Sequence, residues 1–284
     1  MIIPVADTAH SARARRVIAL LMAASLSHPV LAQEAAAEPV THWQFSGTAA
    51  LVSDDRFRGI SQSDNKPAVQ AGLMLGHGSG AYAGVFASMV RGWGGNGGSD
   101  ASVELSAGYT MPLANGTLDA GARWLLTPGG AAGTDYVEAI LKLSGTLGPA
   151  MLLGGVAYAP PQAALGNWSG TAASRPGRRG DNLHLWASTA IAVPGSPLTL
   201  TARIGHSRGS DGLGPGGTSL SPTGAYTDWR LGVEHPVGPL MLGLAYADTD
   251  IGEAEAARLG PEFATGNGDS IAGPRLVVSL TAAF

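Results

Sequence analysis

From Arg275 to Phe284, apolar and polar residues take turns. Leu276, Val278, Leu280, Ala282 and Phe284 fall on one parity, Arg275, Ser279 and Thr281 on the other. Successive side chains on a strand point to opposite faces, so this stretch reads as a strand with two unlike sides. The same period of two recurs along the chain. Val103, Leu105, Ala107 and Tyr109 oppose Ser102, Glu104, Ser106 and Thr110, and Leu118, Ala120, Ala122 and Trp124 oppose Asp119 and Arg123. Val137, Ala139, Leu141 and Leu143 oppose Glu138 and Lys142. Leu183, Leu185, Ala187 and Ile191 oppose His184, Trp186 and Ser188. Leu198, Leu200, Ala202 and Ile204 oppose Thr199, Thr201 and Arg203, and Trp229, Leu231 and Val233 oppose Asp228, Arg230 and Glu234. No stretch approaches a membrane-spanning helix. In 81–90 and in the strands near Gly155 and 240–249 both parities are small or apolar, and the faces stay unassigned.

The two faces say what surrounds the strands. A soluble sandwich turns a face dense in Lys and Glu to bulk water. Here only 13% of residues are charged, about half the usual share. The apolar parity is unbroken, while the other mixes single charges of both signs with Gly, Ser and Thr. A barrel in lipid has that pattern, apolar outside and polar within. Twelve strands are expected, near 42–53, 67–77, 81–90, 101–111, 117–126, 135–144, 149–159, 182–193, 198–206, 225–235, 240–249 and 272–284. Short and long links alternate between them, as tight periplasmic turns and longer outside loops do in outer-membrane barrels. The predicted fold is all-β, a closed antiparallel transmembrane β-barrel of about 12 strands in 42–284. Closure is required because lipid satisfies no unpaired backbone group.

The start of the chain reads as an export signal over 1–32. Arg13, Arg15 and Arg16 precede an apolar run, Val17 to Leu26, and Val30-Leu31-Ala32 places the cut after Ala32. His28 and Pro29 end the run well short of the roughly 20 residues of a spanning helix. A periplasmic tether follows at 33–41. Removing 1–32 takes away three Arg and one Asp, leaving 14 basic and 20 acidic residues. That balance argues against nucleic acid. There are no cysteines, so disulfides, thiolate metal sites and Cys nucleophiles do not arise.

One stretch concentrates charge. Ser53-Asp54-Asp55-Arg56-Phe57-Arg58-Gly59-Ile60-Ser61-Gln62-Ser63-Asp64-Asn65-Lys66-Pro67 follows the first strand. Together with Ala68-Val69-Gln70 it resembles the signature of the TorF-type porin family of exported bacterial proteins. Further matches are Gly80-Ala81-Tyr82-Ala83-Gly84-Val85, Ala87-Ser88, Gly108-Tyr109 and Tyr246-Ala247-Asp248-Thr249-Asp250. The resemblance is specific in 53–72 and diffuse elsewhere. It implies an outer-membrane β-barrel with a pore role and brings no substrate. The chain departs from the family at Asp55, where an aromatic is usual, and at Phe86 and Met89, where Trp and Asn are usual. If the first strand runs on, Arg56 and Arg58 point inward at the outer mouth. Phe57 then points to the interface and Asp55 outward, in the headgroup zone or the loop.

The expected lumen set is Glu104, Asp119, Arg123, Glu138, Lys142, Arg203, Arg230, Glu234 and Arg275, with Arg56 and Arg58 near the mouth and His184 beside them. Such a set can sort solutes by field and hydrogen bonding. It can also zip into ion pairs that fill a narrow barrel, since twelve strands lie between filled and open barrels. The arginines lean the field toward anions and the carboxylates oppose them. The histidines show no ligand spacing, and His184 and Ser188 lie too far apart on one strand for a hydrolytic pair, so neither enzyme nor cofactor is expected. One copy of the Gly94–Asp100 run cannot build a calcium repeat. Trp43, Phe45, Tyr109, Trp229, Tyr246 and Phe284 suit interfacial girdles. The expected function is passive conduction of small hydrophilic solutes through the outer membrane of a Gram-negative bacterium. A non-conducting adhesive or structural barrel acting through its loops is the alternative. The expected partners are outer-membrane lipid and lipopolysaccharide, small hydrophilic solutes, and the barrel-assembly machinery through Phe284. Arg175, Arg178 and Arg179 of one loop are by default a solvated charge run, with contact to lipopolysaccharide or solutes at the mouth as the alternative.

Overall fold

A computed structural model describes residues 42–91 and 96–284. The export signal, the tether up to residue 41 and part of the glycine run near Gly94 lie outside the described residues. The alternating segments form twelve wall strands. They are β1 (Trp43–Val52), β4 (Ala68–His77), β5 (Ala81–Met89), β6 (Ala101–Leu113), β7 (Gly116–Leu126) and β8 (Tyr136–Leu147), then β9 (Ala150–Gln162), β10 (Gly180–Ala192), β11 (Thr199–Gly209), β12 (Ala225–Val237), β13 (Leu240–Thr249) and β14 (Arg275–Ala283). Each pairs antiparallel with its sequence neighbours in the wall, and β1 also pairs with β14, closing the barrel. Two short connections are Gly-Pro pairs. Gly148 and Gly238 take φ of 58° and 60° at the first central position, where a tight hairpin turn calls for glycine.

The parity read from the sequence holds around the wall. Leu51, Leu105, Leu141, Leu185, Ile204, Leu231, Leu244 and Val278 all face outward and exposed, and an exposed apolar belt of this size is a lipid-facing surface. Trp43, Phe45, Tyr109, Tyr246 and Phe284 are exposed toward the strand ends, as a girdle requires, while Trp229 is half-buried. The faces left open by the sequence are now assigned. Tyr82, Gly84, Phe86 and Ser88 pair across from the inward residues of β4 and β6.

Inward residues are buried near the long loops and become accessible toward the short turns. On β8 the series runs from buried Tyr136 and Glu138 through half-buried Ile140, Lys142 and Ser144 to exposed Thr146. On β1 it runs from buried Val52 through Ala50 and Thr48 to exposed Ser46 and Gln44, and on β10 from buried Asn182, His184 and Trp186 to exposed Ala192. On β13 and β14 the inward face stays buried from Met241 to Thr249 and from Val277 to Thr281. The lumen is therefore filled at the loop end and wetted from the turn end along β1, β8 and β10, while β13 and β14 stay covered.

What fills the loop end is the charged stretch. It does not continue β1 up to the rim. After Ser53, still hydrogen-bonded to Val278 of β14, the chain folds inward as a hairpin, β2 (Arg56–Phe57) with β3 (Ile60–Ser61). Two expectations fall with this. Asp55 does not stand outward in the headgroup zone; it is 2% exposed and inside. Phe57 leaves the interface and packs against Tyr136, Ala159, Leu165 and Leu220. The cause is the cost of charge facing lipid, which the inward fold avoids while giving Arg56 and Arg58 carboxylate partners and Asp55 the Ser88 hydroxyl.

Candidate functional site

The hairpin turns at Arg58 and Gly59, with φ of 50° and 80°. Two central residues at positive φ define a type I′ turn, whose twist matches that of the paired strands. Positive φ is uncommon for an arginine. At Gly59 an added Cβ would lie 2.5 Å from Thr249 Cγ2 and 2.9 Å from Asp228 Cβ, so only glycine lets the tip lie against β12 and β13. The Tyr226 hydroxyl donates to the Arg58 carbonyl at 3.0 Å. Ile60 joins Leu213, Ile251, Leu259, Phe263 and Ile271 of the loops in an apolar cluster.

The base is tied by polar contacts. The Asp54 carboxylate accepts from Arg56 Nε at 2.7 Å and from the hydroxyls of Ser61 and Ser63 at 2.5 and 3.2 Å. Arg56 Nη1 also donates to the carbonyls of Gly59 and Gly273. Asn65 donates to the Ser270 carbonyl, Arg275 to that of Asn65, and Asn96 to that of Gln62. Asp55 accepts from the Ser88 hydroxyl at 2.5 Å, and its backbone N–H donates to Ser63. Burial pushes the Asp55 carboxyl up to about 6.

The tip carries one guanidinium across the lumen. Arg58 meets Glu138 of β8 at 2.6 Å and Asn182 of β10 at 2.9 Å. Arg123 of β7 meets the other Glu138 oxygen at 2.6 Å and Glu104 of β6 at 3.3 Å. Both guanidinium groups lie about 5 Å from the centre of the Phe57 ring, within cation–π range. Beside this cluster Arg203 pairs with Asp228 and contacts His184 Nε2 at 2.9 Å, while His184 Nδ1 meets the Ser207 hydroxyl. Closer to the short turns, Lys142 pairs with Asp119 at 2.8 Å, and Asp119 accepts from the Tyr82 hydroxyl. Trp186 stacks on His184 and lies flat where Gly155 leaves room.

Of the residues expected in the lumen, Glu104, Asp119, Arg123, Glu138, Lys142 and Arg203 are brought into ion pairs on inward faces, and Arg58 joins them from the hairpin. Arg230 and Glu234 also face inward. Arg56 is enclosed in the hairpin base, and Arg275 sits exposed at the rim against Asn65. Sequence reasoning missed Asp54, Tyr82, Asn182 and Tyr226 as partners. The hairpin itself had one signal, an X-Gly turn between short apolar-containing pairs. Among the described residues no His, Asp and Glu group is arranged to hold a metal ion, and no catalytic constellation forms.

A closed twelve-stranded antiparallel barrel, apolar outside and charged within, defines the class: a porin-type β-barrel. Residues 36–284 match a family described as bacterial protein of unknown function (Gcw_chp), and the chain belongs to it. No curated protein matches the sequence. Among solved structures, the NanC porin in a rhombohedral crystal form is 11% identical, over 85% of this chain and 99% of that one, with a TM-score of 0.53. The KdgM porin is 7% identical over 84% and 99%, at 0.49. An outer membrane channel from Pseudomonas putida F1 is 15% identical over 87% and 97%, at 0.45. The likeness to NanC shows a shared fold, and the two lower scores add nothing to it.

Proposed function

We propose that this barrel lies in the outer membrane of a Gram-negative bacterium and conducts small hydrophilic solutes passively, with the β2–β3 hairpin as its constriction. The carrying observation is the inward face, which carries charges of both signs and on β1, β8 and β10 grows accessible from the hairpin toward the short-turn end. The resemblance to TorF-type porins points the same way. In this reading the short turns face the periplasm. Arg58, Arg123, Glu138, Glu104, Arg203, Arg230, Glu234, Asp119 and Lys142 line the path, while Arg56 and Arg275 hold the hairpin at its base.

A second reading has its own observation. Arg58, Glu138, Arg123 and Asp228 are nearly fully buried, so the passage beside the tip is narrow, and a barrel shut there would act through its loops. Planar-bilayer recording of the purified chain separates the two. Steady ohmic steps support the pore, and a folded but silent barrel sinks it.

A further inference from the structure

The carboxylates of the inward wall all have cations as partners. Asp119 pairs with Lys142 at 2.8 Å, Asp228 with Arg203, Glu138 with Arg58 and Arg123, and Glu104 with Arg123 at 3.3 Å. Glu234 and Arg230, on one face of β12, are each other's charge partners. Cations and carboxylates are thus equal in number, and a count alone assigns no sign to the passage.

Their depth differs. The Lys142 side chain is 12% exposed and that of Asp119 6%, and Arg203 is 11% exposed against 2% for Asp228. Arg230 is half-buried while Glu234 is buried. Glu138 is wholly covered by its two guanidinium groups. The side chains give the reason. Asp is short and stays against the wall, whereas Lys and Arg carry their charge on a long stem that reaches past it toward water. The exception is Glu104, 14% exposed beside Arg123 at 6%. Between the hairpin and the short turns, the partly accessible wall charges among the described residues are Lys142, Arg203, Arg230 and Glu104, three cations and one carboxylate. Arg203 and Arg230 stand directly across from each other in the β11–β12 ladder, which concentrates positive charge on one side of the lumen. Coulomb energy falls with distance, so a solute feels these cations more than the carboxylates behind them. Arg and Lys lining a pore favour anions.

We infer that the lumen prefers small anions over small cations, and that Lys142, Arg203 and Arg230 set this sign. The inference rests on the pore reading and adds to it the charge class of the solute.

The test is the reversal potential of the purified full chain in a planar bilayer under a KCl gradient. Chloride is expected to permeate at least about threefold better than potassium, short of the roughly tenfold or more of a cleft lined by one sign, because each cation keeps its carboxylate behind it. Paired substitutions separate placement from count. Arg203→Gln with Asp228→Asn, Lys142→Gln with Asp119→Asn, and Arg230→Gln with Glu234→Gln each remove one charge of either sign and strand no partner. Each should bring the two permeabilities closer together, and Glu104→Gln should move them further apart. Heat-modifiable gel mobility checks that each variant is folded. A conducting wild-type barrel without preference, or with one for potassium, overturns the inference and leaves the pore standing. Folded paired variants that all keep the wild-type ratio overturn the assignment to these residues. A folded but silent barrel removes the pore reading and this inference with it.

Discussion

Glu138 is shared by two guanidinium groups, one from the wall and one from the hairpin tip, and none of the three is open to water. Removing a partner from a buried ion pair typically costs about 3–5 kcal/mol. Glu138→Gln leaves Arg58 without a carboxylate and Arg123 with Glu104 alone, and should cost that much. Arg58→Gln leaves Glu138 with Arg123 and should cost about half, in the range of a charged hydrogen bond at roughly 1.5–3 kcal/mol. Urea unfolding in lipid vesicles measures both, and equal losses would show that the tip is not held through Glu138. Asp55 gives the pH prediction. Its folded carboxyl sits at about 6 against an ordinary 3.8, so the folded state holds the proton more tightly than the unfolded one. The stability gained from that proton is complete below about pH 4 and is lost as pH rises through about 6. Asp55→Asn should flatten this dependence and stabilise the chain near pH 7.5 by up to about 3 kcal/mol; an unchanged pH profile would assign the titration elsewhere. Residue parity made Glu138 and Arg123 legible in sequence as inward neighbours. The inward place of Asp55 was not, because its partner Ser88 comes from a strand with no apolar period to orient it.

The β2–β3 hairpin is an element inserted into a wall that does not need it. β1 and β4 pair directly along their whole length, from Trp43 against His77 to Val52 against Ala68, and the chain between them is free to go inward. Replacing residues 54–65 with a short Gly-Ser linker should therefore leave a closed, heat-modifiable barrel with larger single-channel steps. Unchanged steps would mean that the hairpin does not constrict the path. Most of the wall strands were readable from sequence because ten or so alternating residues make a clear period of two, and β5, β9 and β13 were readable only from their place between such neighbours. Two-residue strands have no period to read. The hairpin is fixed instead by contacts remote in sequence, with Ser270, Gly273 and Tyr226, which no local pattern announces. Its short turn, Arg58-Gly59, was visible but lacked the Asn or Asp that makes such turns loud.

For the whole molecule, the outward belt decides the solvent. Leu231 is 58% exposed at the middle of β12. In lipid, Leu231→Arg should cost about 2–4 kcal/mol of folding free energy in bilayers, the penalty for a cation near the midplane. A substitution without effect on refolding into vesicles would remove the lipid-facing assignment of this face. Closure has a different consequence. β1 meets β14 only from Thr48–Val52 against Ala283–Ser279, extended at the ends by Ser53 with Val278 and by Gly47 with Phe284. Every other wall pairing joins strands adjacent in the wall order of the chain. The barrel is a ribbon of nearest-neighbour hairpins with a single long-range join, and such joins form late because the chain must first lose the freedom between them. During assembly the ribbon keeps two open edges until β1 and β14 meet, so the seam between them is what turns a sheet into a vessel.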